Sequence, residues 1–556
     1  MANLYDKSSL VLIPSGTKTG KVYSQVPTNG DGDFTFTRSS AATRVNADGN
    51  IEKETMNLMP YSNNFSQWSP KSGTFTQGVA DPFGGNNAWS LTATNADPYL
   101  YRNPSVTGVI TLSIWVKGVG SSIGKDFLLV SNGSSPSTSA HTLTSEWVRY
   151  ESYFNATSTN IIGFEIPNPA VAGDVVHLYG AQLEQGLVAR DYIETTTSAV
   201  YGGITDNVPR LDYTDSSCPA LLLEPQRTNL LTQSEYLDDS TDWNSGTNNQ
   251  IEYNATTSPE GYQNATKIYS TGGNQLNRYN AFPAVTIGTT YTYTAYLKKD
   301  TSNEIDLYIY SVAQSGFVER GRINFDAGTI TNIEGTSATI EDVGNDWYRA
   351  KVSFAADGTL SYGFLSPTAT NSSVFVYGVQ VEAGAYATSY IPTYGSSVSR
   401  VGDDFYNNGY QANNIFGTNS GSIFFDFGDD FTFFDGVSNS SPTDLFQFVD
   451  VTSYGGGYIR FRGGESSHYL QLVSMGAADN SLSFTDQTKY CICWDSNGVD
   501  FYGNGALIQS TTITNVPSFD RLERGITGNG REGRVKEMLF FTTKLSSQEA
   551  IDLTTI

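Results

Sequence analysis

Cysteine, histidine and charge are all scarce in this chain. Three cysteines in 556 residues are too few for a disulfide framework. In Cys491-Ile492-Cys493 the two thiols project from one face of a strand as neighbours, a spacing that suits neither a zinc pair nor an easy disulfide. They are therefore read as buried free thiols. Charged residues make up only 16% of the chain and the balance is strongly acidic, with a formal net charge of −24. Phosphate binding needs clustered Lys and Arg, so nucleic acid is excluded as a partner. The same charge favours solubility at high local concentration. No stretch approaches the ~20 apolar residues of a membrane span, so no membrane insertion is expected. The first residues, MANLYDKSSLVLIPSG, lack the apolar core of a signal peptide, and folding in a cytoplasm is expected. Helix-forming Ala-Leu-Glu-Lys runs are nearly absent. What abounds is 54 Gly and 34 Tyr, with many Thr, Ser and Asn, the composition of strands joined by turns.

The strongest positive signal is an internal repeat. Residues 176–198 read VHLYGAQLEQGLVARDYIETTTS and residues 374–396 read VFVYGVQVEAGAYATSYIPTYGS. Tyr179, Gly180, Gln182, Glu184, Gly186, Tyr192, Ile193 and Thr195 recur 198 positions later as Tyr377, Gly378, Gln380, Glu382, Gly384, Tyr390, Ile391 and Thr393. Upstream, Trp147 and Arg149 match Trp347 and Arg349, SIWVKG at 113–118 matches TAYLKK at 294–299, Asn87-Ala88 matches Asn264-Ala265, and Asn57-Leu58 matches Asn229-Leu230. A repeat of this length is one structural unit used twice.

The chain then divides into an N-terminal segment at 1–56, a β-sandwich at 57–200, a linker with a lead-in strand at 201–228, a second sandwich at 229–400 and a third at 401–556. The N-terminal segment holds sparse strand fragments around Asn29-Gly30-Asp31-Gly32 and Asp48-Gly49; it cannot bury a core alone, and an outside hold is expected from the first repeat or a partner protein. Leu221-Leu222-Leu223-Glu224-Pro225 reads as a short buried strand stopped by proline. Its counterpart before the first repeat is 44–52, so each sandwich is expected to arrive with its own lead-in. In Phe375-Val376-Tyr377-Gly378-Val379-Gln380-Val381-Glu382 simple alternation puts Phe375, Tyr377, Val379 and Val381 on a core face, with Gln380 and Glu382 on the other. His177, at the position of Phe375, is expected to pack as a ring. The last 156 residues carry aromatic strands, Asn497-Gly498 and Asn504-Gly505 as hairpin turns, and a closing helix capped by Ser546 with Glu549 three residues on.

Two segments, SLVLIPSGTKTGKVYSQVPTNGDGDFTFTRSSAATRVNADGNIE and PRLDYTDSSCPALLLEPQRTNLL, resemble stretches of structural proteins of tailed bacteriophages, the tail-fibre or tail-protein class. The repeats resemble the carbohydrate-binding-module-like jelly-roll sandwiches such proteins carry, and the last region resembles a concanavalin A or laminin-G sandwich. The resemblance implies an all-β virion fibre or spike, assembled in the host cytoplasm. It implies a homotrimer, attached to other virion proteins through residues 1–56 and adhering to a host-surface glycan. The alternatives are a purely structural head-fibre or baseplate decoration and a glycan depolymerase.

No enzyme is expected from the motifs. The Glu-x-Asp-x-x-Glu pattern of concanavalin-like glycanases and the Gly-x-Ser-x-Gly elbow are absent, and His141, His177 and His468 stand beside no nucleophile motif. The densest acidic cluster, Asp426, Asp429, Asp430 and Asp435, either binds calcium through its oxygens or is a solvated loop. No other cofactor is indicated. Trp115 and its counterpart Tyr296 are the ligand candidates: Trp115 shares a strand side with Ser113 and Lys117, read as solvated, where a ring stacks on a sugar and Lys117 or Lys298 donates hydrogen bonds. The competing reading is an aromatic buried at an interface. For Trp147/Arg149 and Trp347/Arg349, framework packing with the guanidinium over the indole is expected.

Overall fold

The computed structural model describes residues 2–555 except 71–72, 95–98, 133, 136, 157–160, 239–242, 246–248, 271–277, 283–284, 359–360, 409–414, 418, 429–442, 450–457, 465–466, 474–480, 485–487, 515, 517–518 and 525–532. It is all-β: paired antiparallel sheets, with a four-residue helix at Ala2–Tyr5 and an eight-residue helix at Ser547–Thr554 among the described residues. The closing helix carries the expected capping box, Ser546 Oγ accepting from Glu549 N and Glu549 returning a bond to Ser546 N.

Both repeats pair their strands in one order. In the first, Thr74–Val79, Ala88–Thr92, Val175–Gln185, Gly108–Val119 and Val148–Ala156 are neighbours; in the second, Asn249–Thr256, Ala265–Ser270, Ser373–Ala383, Thr290–Lys299 and Trp347–Ala355. A second sheet packs on each, Thr138–Thr142, Asp126–Ser131, Ile162–Asn168, Tyr99–Arg102 in one and Gly316–Asn324, Glu304–Ser311, Ser361–Pro367, Arg278–Phe282 in the other.

The recurring residues are a hydrogen-bond clamp. Asn57 Nδ2 donates to the carbonyls of Ala181 and Ile193, and its Oδ1 accepts from Met59 and Leu183. Asn229 repeats this with Val379, Ile391, Leu231 and Val381. Gln182 Oε1 accepts from Ile193 N at 2.7 Å, as Gln380 does from Ile391 N. Gln380 and Glu382, placed by alternation on a polar face, are therefore fully buried. Each meets its polar needs inside the clamp.

The single-face reading of Phe375 to Val381 is also corrected. Gly378 has φ +57°, and the pairing with Thr290–Lys299 shifts register between Thr294 and Tyr296. The bulge reverses the alternation: Val374 and Val376, then Val379 and Val381, face the core, while Phe375 and Tyr377 face outward. Gly180, φ +61°, does the same in the first repeat.

Residues 1–56 are not held as expected. Leu10–Leu12 pairs with Glu537–Phe541, and Phe34–Thr37 pairs with Asp404–Asn408, so the segment supplies strands to both sheets of the C-terminal sandwich. Leu10, Leu12, Phe34 and Phe36 lie in that core with Trp494 and Phe501. The lead-ins also cross over. Ala220–Leu223 pairs with Gly533–Val535 of the C-terminal sandwich, and the hairpin of Arg44–Val45 with Ile51–Glu52 lies on the second repeat, where Ile51 N donates to Pro259 O.

Two buried ionic joints fasten this weave. Arg38 and Arg210 converge on Asp403, while Arg210 and Arg400 converge on Glu224, all at 0–1% side-chain exposure. Lys53 enters the second repeat at 2.9 Å from Glu235 and 3.0 Å from Glu260, and Arg190 of the first repeat reaches Glu260 from the other side. Two cations thus meet two anions, the condition under which buried charge is tolerated.

Cys491 and Cys493 are free and fully buried, with 3.6 Å between sulfurs. Asn504-Gly505 forms a two-residue hairpin turn, both residues at positive φ. At the other hairpin the turn is Ser496-Asn497, because Gly498 already pairs with Asp495.

Candidate functional site

The bulge at Gly180 leaves room for two rings. A Cβ there would sit 3.2 Å from both Trp115 and Tyr192, so only glycine lets them meet over the strand. Trp115 is flanked edge-on by Tyr179, Tyr192 and Phe83, at centroid distances of 6.1, 5.6 and 5.4 Å. Arg149, its cross-strand neighbour, places its guanidinium 4.4 Å from the indole centroid. The arginine thus lies over Trp115 rather than over Trp147, two positions away on its own strand. Arg349 covers Tyr296 in the same way at 5.4 Å.

Phe83 is presented by a turn. Asp81 Oδ1 accepts from the amides of Phe83 and Gly85, and Gly84 takes φ +90°. Those bonds hold the Asp81 carboxyl below its ordinary range, outweighing the opposite effect of desolvation. The ring stays 68% exposed. Beside it, Tyr61, Asn63, Gln77, Asn87, Tyr179 and Glu194 border an open cleft of about 430 Å³. On the other side of Trp115 come Lys117 and, opposite it in register, His177, whose ring lies 6.3 Å from Trp147. Burial, then Lys117, lowers the His177 pKa, in keeping with a packed neutral ring.

The second repeat builds the same face and closes it. Tyr296, Tyr377 and Tyr390 take the places of Trp115, Tyr179 and Tyr192, again around a positive-φ glycine. Where the first repeat has Asn63, Phe83 and Thr196, the second has Glu235, Glu260 and Tyr394, and these receive Lys53. Ile51 packs on the rings beside Trp347. The cleft of the first repeat is thus the position that the Lys53 side chain fills in the second. Burial and Arg190 push Lys53 toward neutrality, but Glu235 and Glu260 outweigh them and its pKa is raised.

This corrects the expectation for Tyr296: it is 5% exposed, an interface ring, and Lys298 beside it donates to Asn345 O. Ser113, read as solvated, is buried. Trp115 and Lys117 are half-buried on the open face. Of the acidic cluster, Asp429, Asp430 and Asp435 lie outside the described residues. Asp426 accepts from Gly428 N at 2.8 Å, and among the described residues no group of three or more metal-ligating side chains converges.

Sequence reading missed a second aromatic face, on the other sheet of the second repeat. Tyr308, Tyr310, Phe317, Tyr362 and Phe364 meet there on three adjacent strands. Its signal was the alternation D-L-Y-I-Y beside S-Y-G-F, where every second residue is aromatic on the side away from the core.

No family model matches the chain, and no curated protein matches it. Among solved structures it is similar to carbohydrate-binding-module and glycoside-hydrolase proteins at low scores. One is the CBM22-1–GH10 modules of Clostridium thermocellum endo-1,4-β-D-xylanase 10B complexed with xylohexaose, at 10% identity over 31% of this chain and 30% of that chain, TM-score 0.19. Another is a glycoside hydrolase family 32 protein from Bifidobacterium adolescentis, at 9% identity over 79% of this chain and 98% of that chain, TM-score 0.17. Likenesses of this size carry no argument about activity.

Proposed function

We propose that the chain is a non-enzymatic adhesion protein of a phage virion, a fibre or spike whose first repeat binds a host-surface glycan across Phe83, Trp115 and Tyr179. The observation that carries this reading is the exposed Phe83 and half-buried Trp115 near a polar cleft that no described residue fills, on a face that the second repeat spends on an internal joint. Apolar ring faces next to amide and hydroxyl groups suit a sugar, which presents both kinds of surface. The cleft border holds one carboxylate, Glu194, and no lysine or arginine among its described residues, which disfavours an anionic glycan and favours a neutral one. Binding without cleavage fits the buried carboxylates, since Glu224, Glu235, Glu260 and Asp403 are all held by cations.

A homotrimer would multiply weak sites by avidity, and light scattering on the full chain tests it. Adsorption of labelled protein to host cells tests the function. Phe83→Ala with Trp115→Ala abolishes adsorption in this reading, and normal adsorption by that variant rejects the site. The burial of Tyr296 favours a second reading, a structural virion component whose first-repeat face is covered by another chain. In that case virions carrying the double variant lose the protein from the particle while isolated protein never bound glycan.

A further inference from the structure

We infer that the second repeat carries its own glycan site, on the sheet opposite to the one used by the first. The residues form a grid set by strand pairing. Tyr362, Tyr310 and Phe317 are cross-strand neighbours in one row, Phe364, Tyr308 and Arg320 in the next, and Ser366, Asp306 and Arg322 in the third. Rows two residues apart along a strand stand about 6.6 Å apart. Tyr308 and Phe364 stack at 4.8 Å and 7°, and Phe317 crosses Tyr308 at 4.9 Å and 90° while keeping 45% of its surface exposed. None of these rings belongs to the core cluster between the sheets, but Tyr308 is buried among its neighbours at 5% exposure, so Tyr310, Phe317, Tyr362 and Phe364 are the rings that present the surface.

The first repeat shows that the fold does not require them. Its core pair Leu129 and Phe164 corresponds to Leu307 and Leu365, and the flanking outward pairs are Val130–Gly163 and Leu128–Glu165. Where the second repeat sets Tyr308 against Phe364, the first sets Val130 against Gly163, so the sandwich does not require this aromatic pair.

The polar row defines the ligand. Arg320 and Arg322 both donate to Asp306, from 2.8 to 3.0 Å for three of the four bonds, and Glu304 lies beside Arg322. Glu334 stands opposite Arg320 in register, so Asp306, Glu304 and Glu334 together compensate both cations and the row offers no excess positive charge to an anionic polymer. Rings at one end and fixed hydrogen-bonding groups at the other fit an unbranched neutral oligosaccharide lying along the strands. The inference rests on the glycan-binding reading of the chain, but uses residues that reading does not touch.

The test is the stoichiometry of neutral hexasaccharides of glucose, mannose and N-acetylglucosamine on the full chain by titration calorimetry, with a hexauronate as charged control. Two hexasaccharides per chain are expected, falling to one in Phe317→Ala with Tyr310→Ala and to one in Phe83→Ala with Trp115→Ala. In the milder Phe317→Ala alone, which removes a half-exposed ring and leaves folding intact, affinity at one site falls roughly tenfold. One site in the unmodified chain, lost with Phe83 and Trp115 and indifferent to Phe317, overturns this inference and leaves the proposed function standing. No binding of any neutral hexasaccharide overturns both.

Discussion

The two repeats fold alike and use the outer face of their first sheet differently. In the second, three tyrosines, Glu235 and Glu260 close over Ile51 and Lys53 of a strap from the N-terminal segment. In the first, the same positions hold Trp115, Tyr179, Tyr192, Asn63 and Phe83, and no described residue fills the cleft bordered by Asn63 and Tyr179. Two sequence changes set the split: Glu235 and Glu260 give a buried lysine its counter-charges, and Asn63 and Phe83 at the equivalent places cannot. The copies share the clamp beneath and two of the face tyrosines, so exchanging the residues around those rings changes the use of the face without loss of the fold.

The largest effects should come from reopening the closed face. Lys53→Met leaves Glu235 without its cation in a buried site and should cost about 3–5 kcal/mol, seen as accelerated amide exchange at Tyr390 and Tyr394. Tyr296→Ala should cost about as much, roughly 3–5 kcal/mol for a buried aromatic, whereas Phe83→Ala on the open face should change stability by no more than about 0.5 kcal/mol. Equal costs for the two would erase the distinction between joint and platform.

Gly180→Ala and Gly378→Ala sharpen the comparison at an intermediate level. Each forces a side chain into the left-handed region, about 1–2 kcal/mol, and each adds a Cβ against two rings. Calorimetry should show the larger loss for Gly378, whose rings are pinned by the strap and have no room to yield.

The smallest effect is a pH dependence. Burial, then Asp206, raises the Glu54 pKa to about 7. A carboxyl held above its unfolded value contributes stability that is complete below that unfolded value and is lost as pH rises through about 7. Glu54→Gln should therefore flatten the fall in melting temperature between the ordinary carboxylate range and neutrality. An unchanged slope would place the dependence elsewhere.

Much of the architecture was legible because periodicity and repetition report local structure. Tyr179, Gln182, Tyr192 and Thr195 announced a repeated unit, and Ser546 with Glu549 announced the closing helix. What alternation missed was the bulge. Gly180 and Gly378 reverse the side-chain phase in the middle of a strand, so a period of two assigned Phe375 and Tyr377 to the wrong face. Long-range placement was also beyond a local reading. Nothing near Leu10 or Lys53 states that one pairs with Phe540 and the other inserts between Glu235 and Glu260. For the site, Trp115 was correctly singled out as lying off the core, but its twin Tyr296 is covered by a segment more than two hundred residues distant in sequence.

The most direct test follows individual indoles. The chain has 7 tryptophans, few enough to resolve by fluorine NMR after 5-fluorotryptophan labelling, with Trp115→Phe and Trp347→Phe to assign two of them. On titration with the neutral oligosaccharide that the calorimetry identifies, the Trp115 resonance should shift saturably while that of Trp347, buried under Ile51 in the closed face, stays fixed. A stationary Trp115 resonance at saturating ligand, or equal shifts at both indoles, would contradict the division of the two repeats into an open platform and an internal joint.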